Sequence, residues 1–448
     1  MPRKFFPVRF ILKTVLATLF LIWGSQSAMA AEDYVFINIS NPFLHKTPIA
    51  VPPFQSAGTD EETAEIVSVT SRLVAYYLDF TGYFSITNPA AFLEDPTTMD
   101  ITGAAIQYRN WTAIGAELLI TGGVTVQGDT VEFDLRLFDT VKQKNLLGKR
   151  YRGNKADHAQ VARRFCGEVL YTLFGTRGMF GSRLAFVSNG SGHKEIYLCD
   201  FDGTNITPFT QHNSISLFPD WSSDGRWIAY TTYEGRHPRI YIRNIAENRI
   251  SKIEKEFLQI SPAWVPGKFE LAASLSFSGD QEIYLLTGSG KLIKRLTHSA
   301  DIDVEPTWSP DGKFMAFVSK RSGSPQVYIL DTTTDRVRRL TFEGNYNTQP
   351  SWSPSGDKIA YSSMAGGIVN IFTIHPDGGN PVQLTKNQGS NEAPSWSPDG
   401  SLIAFSSTRE GGHNRIYVMT AYGTDQRRLL VMPGEQTNPK WSPNFVTP

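Results

Sequence analysis

Three acidic residues close together come nearest to a chemical site in this sequence. Asp301, Asp303 and Glu305 form a D-x-D-x-E pattern, and carboxylate oxygens at this spacing are ligands that Ca²⁺ prefers. The glycine that turns an EF-hand loop is absent from the stretch. A solvated acidic loop is therefore the expected structure, with a Ca²⁺ ion in the channel described below as the alternative. We predict no metal site and no cofactor.

No motif of a common catalytic site is found. The chain contains no G-x-S-x-G, no GK[ST] phosphate loop, no C-x-x-C and no H-E-x-x-H, and its eight histidines are scattered. The two cysteines, Cys166 and Cys199, fall in a predicted helix and a predicted strand of different domains. We expect two separate buried thiols, with a disulfide as the alternative. These observations favour a protein that is not an enzyme.

Charge and targeting exclude some classes of protein. Among 448 residues, 43 Lys and Arg balance 43 Asp and Glu, so the formal net charge is zero. This argues against non-specific electrostatic binding to nucleic acid or to an anionic membrane. A basic start, a short apolar core and Ala28-Met29-Ala30 predict a signal peptide over residues 1–30, cleaved after Ala30. An uncleaved inner-membrane anchor is the alternative. No other run is long enough to span a bilayer.

Elements that could position a site repeat along the second half of the chain. A Pro-x-Trp strand recurs with its tryptophan every 43 to 45 residues, at Trp221, Trp264, Trp308, Trp352, Trp396 and Trp441. Each unit has the pattern of four strands, so the period predicts a β-propeller. In the clearest copy, Ser397-Pro398-Asp399-Gly400 has the chemistry of a type I turn between two strands.

The repeats predict how the propeller closes. The chain enters at the second strand of a unit, Arg183-Leu184-Ala185-Phe186, and ends with a spare tryptophan strand at 439–443. We expect the spare strand to become the innermost strand of the first blade. The ring then has six blades and no exposed inner edge.

A smaller domain precedes the propeller, which we place at residues 181–448. Residues 48–180 predict an α/β domain with a helix at 60–80, a hairpin at Gly128-Asp129 and a helix ending at Gly175. Asp157 and Gln160 predict a capping box for that last helix. Residues 31–47 form a separate N-terminal segment. Its apolar alternation suits a strand of its own sheet or one offered to a partner's sheet edge.

The residues before each Pro-x-Trp are the most informative positions. They are predicted to lie in loops that ring the mouth of the central channel. The tryptophans and turn residues repeat closely, whereas these positions differ between units. A rigid scaffold with variable loops can present a specific surface. A mixed polar and apolar mouth favours a protein or peptide ligand, with unselected loop variation as the alternative.

The signal peptide, the strand-like start, the α/β domain and the six repeats ending in Pro439-Lys440-Trp441-Ser442-Pro443 resemble the TolB family, periplasmic propeller proteins of the Tol-Pal system. The resemblance implies a non-enzymatic periplasmic adaptor that supports outer-membrane integrity and constriction during cell division. A propeller module for a small peptide or glycan is the alternative function. Because the W-S-P-D-G repeat also occurs in propeller-bearing peptidases, an enzyme remains a distant third interpretation.

The resemblance also implies two partner sites. The segment for the inner-membrane protein TolA maps to Glu32, Asp33, Tyr34, Val35, Phe36, Ile37, Asn38 and Ile39. The propeller mouth for the outer-membrane lipoprotein Pal maps to Leu258, Ser261, Asp303, Val304, Glu305, Asn347, Thr348, Gln349, Asn391, Glu392 and Ala393. Colicin-type peptides use the same mouth in some species.

Further expectations follow for the partners. We expect a monomer that binds no nucleic acid and inserts into no membrane. We also hypothesise that binding at the mouth controls whether residues 31–40 pack on the body or are free for a partner.

Overall fold

The computed structural model describes residues 45–445 except 57–60, 236, 248, 254–256 and 278. The predicted signal peptide and the segment from Glu32 to Ile39 lie outside the described residues. Within the described part of the chain, no helix combines the length and the apolar character needed to cross a bilayer.

The first part of the described chain folds as one mixed β-sheet. Its strands are β1 (Thr47–Ala50), β2 (Gln55–Ser56), β3 (Phe84–Ile86), β4 (Leu118–Gln127), β5 (Thr130–Asp139) and β6 (Lys144–Asn154). The order is β3-β1-β4-β5-β6, and β2 also pairs with β4. Strand β1 is parallel to β3 and β4, whereas β4, β5 and β6 form an antiparallel meander. The predicted hairpin is confirmed, with Gly128 in the left-handed region at its turn.

Three α-helices, α1 (Glu61–Phe80), α2 (Tyr108–Ala113) and α3 (His158–Phe174), and two short 3₁₀ turns, Pro89–Ala91 and Lys155–Asp157, accompany this sheet. Helix α1 buries an apolar stripe that includes Val74 and Leu78, as its 3.6-residue spacing requires. Helix α3 buries Phe165 and Val169 in the same core. Helices α1 and α3 therefore shield the sheet and pack against each other.

The predicted capping box of α3 is wrong. The Asp157 carboxylate accepts the backbone N–H of Asn154 at 2.8 Å and so closes the preceding 3₁₀ turn, and it makes no capping bond to the helix. The carboxylate is already engaged on the N-terminal side, so the expected pairing with Gln160 does not form. At the other end, the prediction is confirmed, since Gly175 has φ of 75° and donates its N–H to the Tyr171 carbonyl.

The second part is a β-propeller of six four-stranded blades, as predicted. Blade 1 has β10 (Ser216–Trp221), β11 (Trp227–Thr232), β12 (Arg239–Asn244) and β13 (Ile250–Lys252); blade 2 has β14 (Gln259–Trp264), β15 (Glu270–Ser276), β16 (Gln281–Thr287) and β17 (Leu292–Arg295). Blade 3 has β18 (Asp303–Trp308), β19 (Phe314–Ser319), β20 (Gln326–Asp331) and β21 (Arg336–Arg339); blade 4 has β22 (Asn347–Trp352), β23 (Ile359–Ala365), β24 (Ile368–Ile374) and β25 (Val382–Gln383). Blade 5 has β26 (Asn391–Trp396), β27 (Leu402–Glu410), β28 (His413–Thr420) and β29 (Arg427–Arg428); blade 6 has β30 (Gln436–Trp441), β7 (Arg183–Ser188), β8 (Glu195–Asp200) and β9 (Thr207–Pro208).

The last strand closes the ring. Strand β30 pairs antiparallel with β7, placing Trp441 opposite Leu184. The spare last strand is therefore the innermost strand of the blade in which the propeller begins, as predicted. This blade, the first in the sequence, is numbered blade 6 here. The Trp441 Nε1–H donates to the Ser182 hydroxyl at 2.6 Å. The neighbouring Lys440 forms an ion pair with Asp220 of blade 1 at 2.9 Å.

The repeated turn has the predicted chemistry. The N–H of Gly400 donates to the Ser397 carbonyl at 2.9 Å, and Gly400 has φ of 74°. The Asp399 carboxylate accepts the Ser397 hydroxyl at 2.6 Å and the Ser401 N–H at 3.2 Å. In blade 2 the degraded copy keeps a turn, because Lys268 donates its N–H to the Val265 carbonyl.

Helix and propeller share one apolar core. Arg163 of α3 forms an ion pair with Asp200 at 2.8 Å and lies over the Phe201 ring. Phe201 in turn packs edge-on against Phe80 of α1. Cys166 and Cys199 are both buried and both free thiols, so the prediction of separate thiols is confirmed.

We predict that replacing Trp441 destabilises the whole ring. Trp441 is 5% exposed and belongs to the core shared by the two parts. Trp441→Ala should lower the free energy of unfolding by about 3–5 kcal/mol, measured as a fall in the urea midpoint by far-UV circular dichroism. Phe342→Ala is the control, because Phe342 is 72% exposed and should shift stability by at most about 0.5 kcal/mol. Equal midpoints for both variants would contradict the closure argument.

Candidate functional site

Six equivalent residues form a ring around the propeller axis. They are the residues directly before proline in each Pro-x-Trp strand, and all have φ between 50° and 55°. Together they line a cavity of about 100 Å³ contributed by every blade. We call them the mouth ring: Phe218, Ser261, Glu305, Gln349, Ala393 and Asn438.

A β-bulge explains this unusual backbone. In blade 4, Thr348 pairs with Ser362 and Ser351 pairs with Ala360, so the register shifts across Gln349 and Pro350. Proline cannot donate to the strand ladder and is tolerated at bulges. The residue before it leaves the extended region, which non-glycine residues rarely do. The same shift recurs in all six blades.

The predicted mouth loops are therefore strands. The ranges 303–305, 347–349 and 391–393 open the inner strands β18, β22 and β26. Because side chains alternate along a strand, consecutive residues of each range face different surroundings. Only the bulged residue of each range lines the axial cavity.

The first residue of each of these strands is buried. Asp303, Asn347 and Asn391 are at most 1% exposed. Asp303 forms an ion pair with Arg321 at 2.7 Å. Asn347 donates to the Gln326 side chain at 2.8 Å, and the Asn391 side-chain oxygen accepts the Ser407 hydroxyl at 2.8 Å. The structure thus places these three side chains inside the blades and not at the surface.

The prediction that Asp301, Asp303 and Glu305 form a solvated acidic loop is also wrong. Asp303 is enclosed, Glu305 faces the axial cavity and Asp301 is exposed. The three carboxylates are not brought together. Among the described residues, no group of three or more His, Cys, Asp or Glu side chains is placed to hold a metal ion.

Hydrogen bonds between blades hold the mouth ring in place. The Glu305 carboxylate accepts the backbone N–H of Gln349 at 2.7 Å. The Gln349 side-chain oxygen accepts the N–H of Ala393 at 2.9 Å and the Ser362 hydroxyl at 2.8 Å. Burial raises the pKa of the Glu305 carboxyl, and the nearby Glu392 carboxylate raises it further. From blade 3 to blade 5, each ring residue is therefore linked to the next by a hydrogen bond from a backbone N–H to a side-chain oxygen.

A second set of equivalent residues surrounds the mouth ring. Each lies directly before an inner strand, and its carbonyl accepts an N–H from the end of the second strand; for example, Tyr233 donates to Ile215 and Met364 to Tyr346. In blades 1 to 4 the residues are apolar, and in blades 5 and 6 they are Ser390 and Glu435. We call the apolar set the apolar arc: Ile215, Leu258, Ile302 and Tyr346.

The apolar arc is open to solvent and extended by its neighbours. Ile215, Ile302 and Tyr346 are 42%, 39% and 39% exposed, and Leu258 is half-buried. The most exposed neighbour is Phe342, and the further exposed neighbours are Tyr233, Phe277 and Met364. On the side of blades 5 and 6, charged groups such as Glu410 and Arg428 form an ion pair. Val431 is an exposed apolar residue on this otherwise polar side. The face is therefore apolar on one side and polar on the other.

The sequence-predicted mouth residues divide into four groups. Leu258 belongs to the apolar arc, and Ser261, Glu305, Gln349 and Ala393 belong to the mouth ring. The first strand residues are enclosed, as described above. The middle residues, Val304, Thr348 and Glu392, pair with the second strand and lie partly or wholly buried outside the axial cavity.

Sequence reasoning missed most of the apolar arc. The available signal was the residue three places before the one that precedes proline in each Pro-x-Trp, which is apolar in four consecutive units, at Ile215, Leu258, Ile302 and Tyr346.

The raised pKa of Glu305 predicts a pH effect on stability. A carboxyl whose pKa is higher in the folded state binds its proton more tightly there, so stability falls as pH rises from the unfolded pKa through the folded one. Glu305→Gln removes this loss, so the variant should gain stability relative to the parent between pH 4 and pH 7, measured by urea unfolding. Asp134→Asn is the opposite control, because the Arg136 hydrogen bond lowers the pKa of Asp134. That variant should lose stability relative to the parent, with a loss that is already complete just above the unfolded carboxyl pKa of about 4, stays nearly constant up to pH 7 and shrinks as the pH falls below about 4. A pH-independent difference for Glu305→Gln would contradict the burial argument.

Comparisons with known proteins agree with this architecture. Residues 171–445 match the family described as TolB beta propeller domain, and residues 35–146 match the TolB amino-terminal domain. A Tol-Pal system protein TolB from Desulfosudis oleivorans is 64% identical over 431 residues, covering 96% of this chain and 98% of that protein. A protein TolB homolog from Chlorobium chlorochromatii is 40% identical over 304 residues, or 68% of each chain.

A solved structure shows the same arrangement. The crystal structure of TolB from Acinetobacter baumannii superposes with a TM-score of 0.78 at 27% identity, covering 89% of this chain and 97% of that one. With a family match over more than half of the chain and a relative this similar along nearly its whole length, the chain belongs to the TolB family.

Proposed function

We propose that this protein is a non-enzymatic periplasmic adaptor of the Tol-Pal system. It links the inner-membrane protein TolA to the outer-membrane lipoprotein Pal and so supports outer-membrane integrity and constriction during division. Membership of the system is supported by the relative that is 64% identical and is named a Tol-Pal system protein. The periplasmic location is supported by the signal-peptide pattern that ends at Ala30.

The apolar arc is the observation that carries the proposal. Apolar side chains on a soluble protein are normally scattered singly, and a contiguous exposed patch marks an interaction site. Here four equivalent positions on adjacent blades are apolar, and Tyr346 and Phe342 provide the aromatic anchors that dominate protein interfaces. The polar side formed by blades 5 and 6 suits the rim of such an interface.

The size of the axial cavity distinguishes a protein partner from a small ligand. Small-molecule sites usually enclose about 300–1,000 Å³, whereas the cavity inside the mouth ring holds about 100 Å³. The mouth ring also satisfies many of its own hydrogen bonds, as between Glu305 and Gln349. A broad partner surface lying across the face, with Pal as the proposed partner, fits this geometry better than a small peptide or glycan held within it.

The second proposed surface lies in the sequence ahead of the described residues. The stretch from Glu32 to Ile39 contains the aromatic and β-branched run Tyr34-Val35-Phe36-Ile37 followed by Ile39, a composition that favours a strand, and such a strand can be added to the edge of a partner's sheet. We assign it to TolA. Two separate surfaces allow both partners to be bound at once, as an adaptor requires.

We predict that the two surfaces can be removed independently. The mature chain, a form lacking residues 31–40, and a Phe342→Asp/Tyr346→Asp form would be titrated with purified Pal and with the periplasmic part of TolA by calorimetry. Truncation should abolish TolA binding and keep Pal binding. The double substitution should weaken Pal binding by at least about 30-fold, as expected for interface anchors, and leave TolA binding intact.

The control is Val141→Asp, which places a charge at another exposed apolar residue, far from the propeller in sequence. It should change neither affinity. If Pal bound the double variant as tightly as the parent, the mouth-face assignment would be wrong. If neither partner bound any form, the adaptor function itself would fail.

A further inference from the structure

A cavity opens between blades 3 and 4 on the side of the propeller opposite the apolar arc. Its volume is about 430 Å³, within the range of sites for small ligands. Ser309 and Trp352 line it at the ends of β18 and β22, whereas Ile302 and Tyr346 of the apolar arc directly precede the same two strands. Strands of this length span roughly 17–20 Å, so the cavity is separate from the mouth face. Its lining residues come from stretches that the structure describes without a gap, namely 309–314, 336–339, 352–356 and 374–380.

Two stacked aromatic rings form the floor of the cavity. The ring centroids of Phe314 and Trp352 are 6.5 Å apart, and their planes are inclined by 22°. Phe314 is 37% exposed, so the floor is open to solvent. The Trp352 indole N–H donates to the Gly356 carbonyl of its own blade at 3.2 Å. Three equivalent tryptophans donate instead to a carbonyl of the neighbouring blade, namely Trp221, Trp308 and Trp396. The Trp352 ring is therefore held by the turn that lines the cavity.

An equivalent cleft in the same propeller shows what fits against such a floor. Between blades 1 and 2, Trp227 and Trp264 occupy the places in the repeat that Phe314 and Trp352 occupy here. The ring of Phe269 packs against both tryptophans, with centroid distances of 5.4 and 5.3 Å. The cleft between blades 1 and 2 is thus completed by a third aromatic ring from the chain itself.

The third ring is missing between blades 3 and 4. The place of Phe269 in the repeat is taken by Asp357, whose carboxylate accepts the hydroxyls of Ser353 and Ser355 within its own turn. The described lining residues of the cavity include no aromatic side chain beyond the two of the floor. A planar aromatic ring supplied by a ligand would complete the arrangement, and such rings gain from stacked or edge-on contact.

The rim of the cavity carries two carboxylates. Asp311 and Asp377 line it, with side chains that are 51% and 69% exposed. Hydrogen bonds within their own turns lower the pKa of both carboxyls, so both are anionic at neutral pH. Arg338 also lines the cavity, and its guanidinium donates to the Pro376 carbonyl. Among the described lining residues, acidic groups therefore outnumber the basic one.

Two cations outside the lining approach these carboxylates. Lys313 lies 3.7 Å from Asp311, and His375 lies 2.8 Å from Asp377. Solvent-exposed pairs of this kind contribute little, so the carboxylates can still take the positive group of a ligand. The faces of the floor rings attract a cation as well. A matching ligand combines a planar aromatic ring with one positive charge.

We propose that the cavity between blades 3 and 4 binds a small aromatic cation, with its ring against Phe314 and Trp352 and its ammonium group at Asp311 and Asp377. The site does not depend on the partners proposed above. Tryptamine is the probe, because a short chain joins its ring to its ammonium group. A ligand of this size should bind with a Kd on the order of 1 mM, so the measurement must report on individual residues.

The test is nuclear magnetic resonance of the mature protein with ¹⁵N-labelled tryptophan. Of the nine tryptophans, Trp23 lies in the predicted signal peptide, so eight indole N–H resonances remain. Trp352→Phe identifies the Trp352 resonance by its loss. Tryptamine should shift this resonance saturably and leave that of Trp111, which is 1% exposed in the other domain, unchanged.

Related probes separate the two parts of the ligand. Indole-3-propionate, which has the same ring with a negative charge, should bind at least about tenfold more weakly than tryptamine because it meets like charges at the rim. Cyclohexylethylamine, which keeps the ammonium group but has no aromatic ring, should bind about fivefold more weakly because the stacking contact is lost.

Variants locate the site. Asp311→Asn/Asp377→Asn should weaken tryptamine binding about fivefold, and Phe314→Ala should weaken it by a similar factor. The matched controls are Asp129→Asn/Asp224→Asn, which makes the same charge change elsewhere and includes the equivalent turn of blade 1, and Phe342→Ala. Both controls should bind as the parent does, and the remaining indole resonances report whether each variant is folded.

Three results would overturn the proposal. The first is the absence of a saturable tryptamine shift at Trp352. The second is an affinity for indole-3-propionate equal to that for tryptamine. The third is parent-like tryptamine affinity in both site variants.

Discussion

The pairing of β30 with β7 is the constraint on which the rest of the propeller depends. It joins the last described strand to the first strand of the ring, so the six inner strands surround one axis. The Lys440–Asp220 ion pair and the Trp441–Ser182 hydrogen bond strengthen this closure. Because the ring is closed, equivalent residues of all six blades meet at one mouth, and a difference between blades becomes a pattern on a single face.

The mouth is built in two layers with different physical tasks. The mouth ring is held by backbone bulges and by bonds between blades, such as that from Gln349 to Glu305. Residues engaged in this way have little left to offer a partner. The apolar arc lies directly before the inner strands of blades 1 to 4, three residues ahead of the mouth ring, and its side chains at Tyr346 and Ile302 are open to solvent. Recognition is therefore assigned to the arc and rigidity to the ring.

The architecture could be predicted from the sequence because several independent features of the repeat indicate the same fold. The tryptophan period, the Ser-Pro-Asp-Gly turn and the spare final strand each indicated six closed blades. The bulges could not be predicted in the same way, since a left-handed residue before proline opposes local preference and is imposed by the inner strand's place in the ring. For the same reason Asp303 and Asn391 were assigned to the mouth although their side chains turn into the blades. The prediction that Asp157 caps α3 was wrong because its carboxylate can bond either to the 3₁₀ turn before it or to the helix after it, and the sequence does not distinguish the two. The segment from Glu32 to Ile39 stays a prediction.

The central claim is that the partner contacts blades 1 to 4 through the apolar arc. It is tested most directly by placing the photo-cross-linking residue p-benzoylphenylalanine, one position at a time, at Ile215, Leu258, Ile302, Tyr346, Ser390 and Glu435, and irradiating each protein with purified Pal. These positions are equivalent in backbone geometry, so differences in yield report the side of the face that is covered. The account predicts strong cross-links at the first four positions and weak ones at Ser390 and Glu435. Equal yields around the ring, or stronger yields at the last two positions, would contradict it.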